Sequence, residues 1–325
     1  MARVAITDGM DEKSVDRLVN AGYEVTQNHY GLEQLQQGSL GDFNAVVIRS
    51  ATKLDRDTLS ASVSNGGKLG FIGRAGVGVD NIDIAAATEF GIIVCNTPGA
   101  STQSVAELTI GHLIASARHI SSADKKLKNG EWAKKDLRGS ELGGKNLGLI
   151  GYGRIARRVA RIANALGMNI HAFDPYVDFS SLGGLECTVH EDIDNIFRQC
   201  THISLHCNLT SETKHLVNSR TIGLMPGIGN DGINCGNHIV NCSRGGIIDE
   251  SAANLALEKG ILSSLALDVY ENEPLGDSPL LGLDNFHGTP HIAASTLEAQ
   301  ERIGSEMVDL LIDYLDGNKP KTALN

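Results

Sequence analysis

Apolar residues fall along this chain in short consecutive runs, and between the runs they recur at helical spacing. Residues 4–7, 24–27, 45–49, 69–72 and 92–95 read as strands, with helices over 12–20 and 82–90. The run at 45–49 is apolar at successive positions, as in a strand buried on both faces of a parallel sheet. This order predicts a small parallel α/β unit, which Asn96-Thr97-Pro98-Gly99 interrupts. Residues 101–129 form one long helical pattern, with Ser101 or Thr102 as cap and Asn129-Gly130 as its end. A helix of that length suggests a connector between domains. Further strands are predicted at 147–150, 170–173, 187–189, 202–206, 238–242 and 265–269. They alternate with helices near 192–198 and 250–259, as a doubly wound sheet requires. The last helix, 297–315, follows the second set, and its return to the first unit would make that domain discontinuous. Residues 226–237 (PGIGNDGINCGN) read as a flexible surface loop outside the sheet.

The sharpest local signal is KNLGLIGYGRIARRVARIANALGMNIHAFDPY, from Lys145 to Tyr176. It reads as strand, glycine turn, helix, strand. Gly151, Gly153 and Ala156 give G-x-G-x-x-A: a tight turn, close backbone approach by a pyrophosphate, and close helix–strand packing. The helix that opens there aims free N–H groups at the phosphates. Asp174 ends the next strand, roughly 20 residues on, where a carboxylate accepts from the ribose hydroxyls. Its charge would repel a 2′-phosphate, so the expected cofactor is NAD.

Length and composition narrow the function classes. A chain of 325 residues suggests two domains. The formal net charge of −11 argues against a nucleic acid or an anionic membrane as partner, though not against a small anion in a local basic pocket. No run approaches the roughly 20 apolar residues of a membrane span. The first ten residues lack the pattern of a secretion signal, so a cytoplasmic location is expected. Six cysteines include no C-x-x-C pair. His202 and His206 are four apart in a strand, and His287 and His291 are separated by Gly288 and Pro290, so no metal site is expected.

Three polar residues follow strands of the second set, where open α/β sheets bind ligands: Arg244, Glu273 and His291. Taken singly, each has a bland reading as a surface ion pair, a solvated loop acid or a satisfied loop histidine. Together, behind a dinucleotide turn, they are what oxidation of a secondary alcohol needs. Histidine takes the proton, a carboxylate holds its tautomer, and arginine grips a neighbouring carboxylate through paired hydrogen bonds. In the first unit Arg49-Ser50-Ala51-Thr52-Lys53 follows one strand, and Arg74 with Gly76 and Gly78 follows another. This is either an anion cradle of guanidinium and exposed amides or two surface arginines beside a tight turn.

The stretches GRAGVGVDNID, NTPGASTQSVAELTIG, GYGRIA, VNCSRGG, LDVYENEP and TPHIAAST, in this order, resemble the D-isomer-specific 2-hydroxyacid dehydrogenases. The resemblance runs nearly the whole length and is greatest to members that oxidise a phosphorylated acid. It implies a Rossmann-type doubly wound parallel sheet, residues 98–292, that binds NAD. This domain is expected to be inserted in a smaller flavodoxin-like α/β substrate domain, residues 1–97 and 293–325. It implies a homodimer, or a tetramer built from dimers. By the resemblance Arg244 binds the substrate carboxylate, His291 transfers the proton and Glu273 supports the histidine. Cofactor contacts are implied for Val77, Gly151, Gly153, Arg154, Ile155, Asp174, Cys207, Cys242, Ser243, Asp268 and Ala294. Arg49, Ser50, Arg74, Gly76 and Val77 match substrate-binding positions, and Lys134 matches a basic position contributed from the partner subunit. The longer members carry C-terminal regulatory domains, which this chain lacks, so feedback through such a domain is not expected. The alternatives are a reductase of unphosphorylated 2-oxo acids and an NADH-sensing binding protein.

Overall fold

The computed structural model describes residues 1–181 and 187–325, which divide into two compact units. The first comprises Met1–Ser101 with Ala294–Asn325, and the second Thr102–Ala293.

The first unit contains β1 (Arg3–Ile6), α1 (Glu12–Asn20), β2 (Glu24–Gln27), α2 (Leu32–Gln36), β3 (Ala45–Ile48), α3 (Arg56–Val63), β4 (Phe71–Arg74), α4 (Ile84–Glu89) and β5 (Ile93–Asn96). The sheet order is β2-β1-β3-β4-β5, and the paired strands are parallel. This is the flavodoxin-like order. β3 shows why the run reads AVVI. Val46 and Ile48 face one core with Leu35, Leu59 and Ala86, while Ala45 and Val47 face another with Leu18, Met307 and Leu311. Both faces are covered, so every position of the strand is apolar.

The second unit contains α5 (Thr102–Arg118), α6 (Ile120–Lys128), β6 (Asn146–Ile150), α7 (Arg154–Ala165), β7 (Asn169–Phe173), β8 (Thr188–Val189), α8 (Ile193–Gln199) and β9 (His202–Leu205). α9 (Ser219–Ile222), β10 (His238–Asn241), α10 (Glu250–Glu258), β11 (Ser264–Leu267) and β12 (Phe286–Gly288) complete it, and α11 (Leu297–Leu315) belongs to the first unit. Its sheet runs β12-β11-β10-β9-β6-β7-β8, and all its pairs are parallel. The chain therefore winds outward in both directions from the β6/β9 junction, the Rossmann arrangement with one added strand.

Three sequence expectations change. The helix over 101–129 is two helices, because His119 takes a left-handed backbone (φ +55°). The Ala117 carbonyl, which an unbroken helix would bond to the amide four residues on, accepts instead from Ser140 N at 2.9 Å. Residues 226–237 lie outside the sheet but are tied down. Gly236 N donates to Gly227 O, Gly229 N donates to Ile233 O, and Asp231 pairs with the buried Lys145 Nζ at 2.5 Å. α2, α9 and β12, of three to five residues, are too short to register as periodic patterns, and α3 (Arg56–Val63) was not predicted either. No helix among the described residues is long and apolar enough to cross a membrane.

Candidate active site

The register of the second sheet aligns Phe173, Ile150, Leu205, Asn241, Leu267 and Gly288 in one row at the carboxyl edge. Each polar residue singled out in this unit, apart from Lys134, leaves the chain within a few positions of that row. Lys134 stands exposed in a turn after α6.

Gly151 follows β6 with φ +85°, and a Cβ there would sit 2.7 Å from the His206 carbonyl, so the turn and the β9 end touch only through glycine. Gly153 heads α7 and has no neighbour within 4 Å of a would-be Cβ. The helices α1, α3, α4, α8, α10 and α11 open on an Asp or Thr side-chain cap, whereas α7 has no side-chain cap. Its first N–H groups therefore lack a side-chain acceptor, beside an open space at Gly153, which fits a dinucleotide pyrophosphate. Arg154 is exposed and Ile155 half-buried in the first turn of this helix. Asp174 accepts from Tyr152 N at 2.8 Å and Tyr176 N at 2.9 Å, holding the turn while staying half-exposed. Cys207 follows β9, half-buried, and burial pushes its thiol up to about 11. If the α7 opening holds phosphate, Gly153→Val leaves the melting temperature within about 2 °C and raises the NADH Kd at least about ten-fold, read by thermal melting and NADH fluorescence titration.

Arg244, Glu273 and His291 meet on this edge. Asn241, 1% exposed, stitches the turn after β10. Its Oδ1 accepts from Ser243 N and Ser243 Oγ, and its Nδ2 donates to Arg244 O at 2.7 Å. Cys242, between them, is buried. A Cβ on Gly245 would fall 1.7 Å from Tyr270 O, so glycine alone lets the β10 and β11 loops approach. Glu273 Oε1 accepts from Tyr270 N at 3.1 Å, and its Oε2 lies 2.7 Å from His291 Nδ1. Burial works to raise the Glu273 pKa. The hydrogen bond to His291, the charges of His291 and Arg244, and the Tyr270 amide outweigh it and hold the carboxyl below its ordinary value. An ionised Glu273 can only accept, so His291 Nδ1 carries a proton in either state of the ring, and in the neutral ring Nε2 is the nitrogen with the free lone pair. About a third of each side chain is exposed (35% for His291, 34% for Glu273), so the pair is open to a substrate. Asp268, by contrast, is fully buried. Its carboxylate accepts from Thr289 Oγ1, Ile292 N and Ala293 N, and so anchors the His291 loop.

In the first unit Arg49 follows β3, Arg74 ends β4 and Gly76 lies just beyond it. Arg74 Nη2 donates to Ser50 Oγ at 3.2 Å, which joins the two loops. The Arg49 loop is clamped from both sides. Asp8 accepts from Arg49 N and from Thr52 N and Oγ1, while Asn81 Nδ2 donates to the carbonyls of Arg49 and Thr52. Val77 O accepts from Asn96 Nδ2 and Gly76 O from Thr97 N. Ala294 O accepts from Gln300 Nε2, at the foot of α11. Asp8, Asn81, Asn241, Tyr270 and Thr289 were not singled out from the sequence. For Asp8, Asn241 and Tyr270 the one signal is a polar residue at or within three positions of the end of an apolar strand; Asn81 and Thr289 carry no such signal. Among the described residues no group of three or more His, Cys, Asp or Glu is arranged to hold a metal ion.

A Rossmann sheet that presents a glycine turn, an arginine and a carboxylate–histidine pair on one edge defines a nicotinamide-dependent dehydrogenase architecture. Residues 110–293 match the family profile "D-isomer specific 2-hydroxyacid dehydrogenase, NAD binding domain". The chain belongs to this family and carries its NAD-binding domain. It is 42% identical, over its whole length, to D-3-phosphoglycerate dehydrogenase of Methanocaldococcus jannaschii, and spans 60% of that longer protein. It is 43% identical over 317 residues to the hydroxypyruvate reductase of Thermotoga maritima, covering 96% of this chain and 98% of the relative. The apo structure of D-lactate dehydrogenase from Escherichia coli superposes with a TM-score of 0.81 at 30% identity, covering 99% of this chain and 100% of that one.

Proposed function

We propose that the protein is an NAD-dependent dehydrogenase that interconverts a D-2-hydroxy acid and its 2-oxo acid, with D-3-phosphoglycerate as substrate and 3-phosphohydroxypyruvate as product. The observation that carries this is the convergence of Arg244, Glu273 and His291 on the sheet edge that also bears the glycine turn. Residues 102–293 hold the cofactor, and the unit around Arg49 and Arg74 holds the substrate. NAD supplies the hydride acceptor. His291 Nε2 takes the hydroxyl proton, and Glu273, hydrogen-bonded at Nδ1, stabilises the imidazolium that forms. Arg244 binds the carboxylate as a planar fork and polarises the adjacent oxygen. Arg49 and Arg74, with the amides near Gly76, take the phosphate. Support for the substrate comes from these two arginines and from the phosphoglycerate relative; on this reading the product feeds serine synthesis, in the cytoplasm, from a homodimer to which Lys134 contributes across subunits.

A second reading, reduction of unphosphorylated acids such as hydroxypyruvate, rests on the Thermotoga relative of matching length. A panel of oxo acids reduced with NADH separates the two. Under the phosphate reading, Arg49→Ala and Arg74→Ala each raise KM for 3-phosphohydroxypyruvate at least about ten-fold and leave KM for hydroxypyruvate nearly unchanged, since a charge-assisted hydrogen bond contributes about 1.5–3 kcal/mol. Equal effects on both acids favour the second reading. Tight NADH binding with no turnover of any 2-oxo acid would instead indicate a nicotinamide sensor.

A further inference from the structure

His112 lies on α5, 5% exposed, outside the group that the proposed reaction uses. Its Nε2 stands 3.2 Å from Thr289 Oγ1, and that hydroxyl lies 2.6 Å from Asp268 Oδ1. A carboxylate accepting here leaves the hydroxyl proton on its Asp268 side. Thr289 Oγ1 then has only lone pairs to offer His112, so His112 Nε2 is the donor. Asp268 also accepts from the two amides directly after His291, with Ile292 N on Oδ1 at 2.8 Å and Ala293 N on Oδ2 at 2.9 Å. On the other side the Tyr270 hydroxyl donates to Thr289 O at 3.0 Å. The loop so held carries a strained residue. His291 has φ +53°, a backbone that residues other than glycine keep only where the surroundings hold it. Burial pushes the His112 pKa down to about 4, so at neutral pH the ring is uncharged and can carry its single N–H in the Nε2 tautomer.

We propose that His112 is a positioning residue for the proton-transfer loop: its Nε2–H directs the Thr289 hydroxyl onto Asp268, and through Asp268 fixes where His291 sits. The inference rests on the reading of His291 as the proton-transfer group. A proton acceptor misplaced by an ångström or less slows the chemical step while leaving cofactor binding alone.

The test is steady-state reduction of a 2-oxo acid by NADH, with NADH titration and thermal melting of each variant. His112→Leu lowers kcat at least about ten-fold and leaves the NADH Kd within about two-fold. His112→Gln, which keeps an N–H at similar reach, recovers most of the loss. Thr289→Val slows turnover comparably, and the double variant is no slower than the slower single one, because both break one chain. A folded His112→Leu with wild-type kcat, a His112→Gln as slow as His112→Leu, or losses that multiply would each overturn the proposal. Where His112→Leu does not fold, His112→Met against His112→Gln makes the same comparison. His291→Asn is run alongside. If it keeps full turnover, the proton-transfer reading falls; if it is inactive while His112→Leu is normal, only the role of His112 falls.

Discussion

His291→Asn is expected to lower turnover of a 2-oxo acid by about 10³-fold while the NADH Kd stays within about two-fold. Asparagine suits this position for a conformational reason. The residue sits at φ +53°, and asparagine tolerates the left-handed region better than most residues. The loop is anchored through Asp268, at the amides of Ile292 and Ala293, which the substitution does not touch. An amide side chain can still bond Glu273, but it has no proton to exchange near neutral pH. What is lost is general acid–base help, ordinarily about 10²–10⁴ in rate. The measurement is kcat from nicotinamide absorbance beside fluorescence titration of NADH. Turnover within ten-fold of wild type would remove His291 from the reaction.

Arg244→Lys is expected to lower kcat/KM by about 10²-fold on a 2-oxo acid. The lysine keeps a positive charge near Glu273, so the substitution separates geometry from charge. What goes is the planar fork that pairs with both carboxylate oxygens. One charge-assisted hydrogen bond contributes about 1.5–3 kcal/mol, and each 1.36 kcal/mol is ten-fold in rate, which gives about 10–150-fold. The turn that aims the side chain is held by Asn241 through the Arg244 carbonyl, so the backbone stays in place. The check is a second substrate. Against the methyl ester of the same oxo acid, wild type and variant should differ by less than about three-fold, because the carboxylate the fork recognises is gone and the lysine charge still polarises the adjacent oxygen. A loss of equal size on acid and ester would assign Arg244 another role.

The parts that were legible in the sequence are those coded by neighbours along the chain. Strand runs such as 45–49 show because a strand covered on both faces needs apolar side chains at every position. The cofactor turn shows because Gly151, Gly153 and Asp174 are tied by one local unit. The break at His119 did not show. Residues 101–129 keep helical spacing throughout, and the donor that competes for the Ala117 carbonyl, Ser140 N, comes from a segment about twenty residues further on. The loop at 226–237 looked free for a similar reason. Its composition signals turns, while the Lys145 ammonium that holds Asp231 lies more than eighty residues earlier.

By itself the sequence determined the parallel α/β class and the glycine turn, and it offered Arg244, Glu273 and His291 as candidates, because local periodicity, glycine placement and residue chemistry are written residue by residue. Only the tertiary structure decided that Ile150, Leu205, Asn241, Leu267 and Gly288 share one row, and that His291 Nδ1 meets Glu273 at 2.7 Å. It alone decided that a buried carboxylate at Asp268 gathers Thr289, Ile292 and Ala293. The physical reason is that register between parallel strands is set by packing on both faces of the sheet. Which loops meet at its edge therefore depends on helices and strands far apart in the chain.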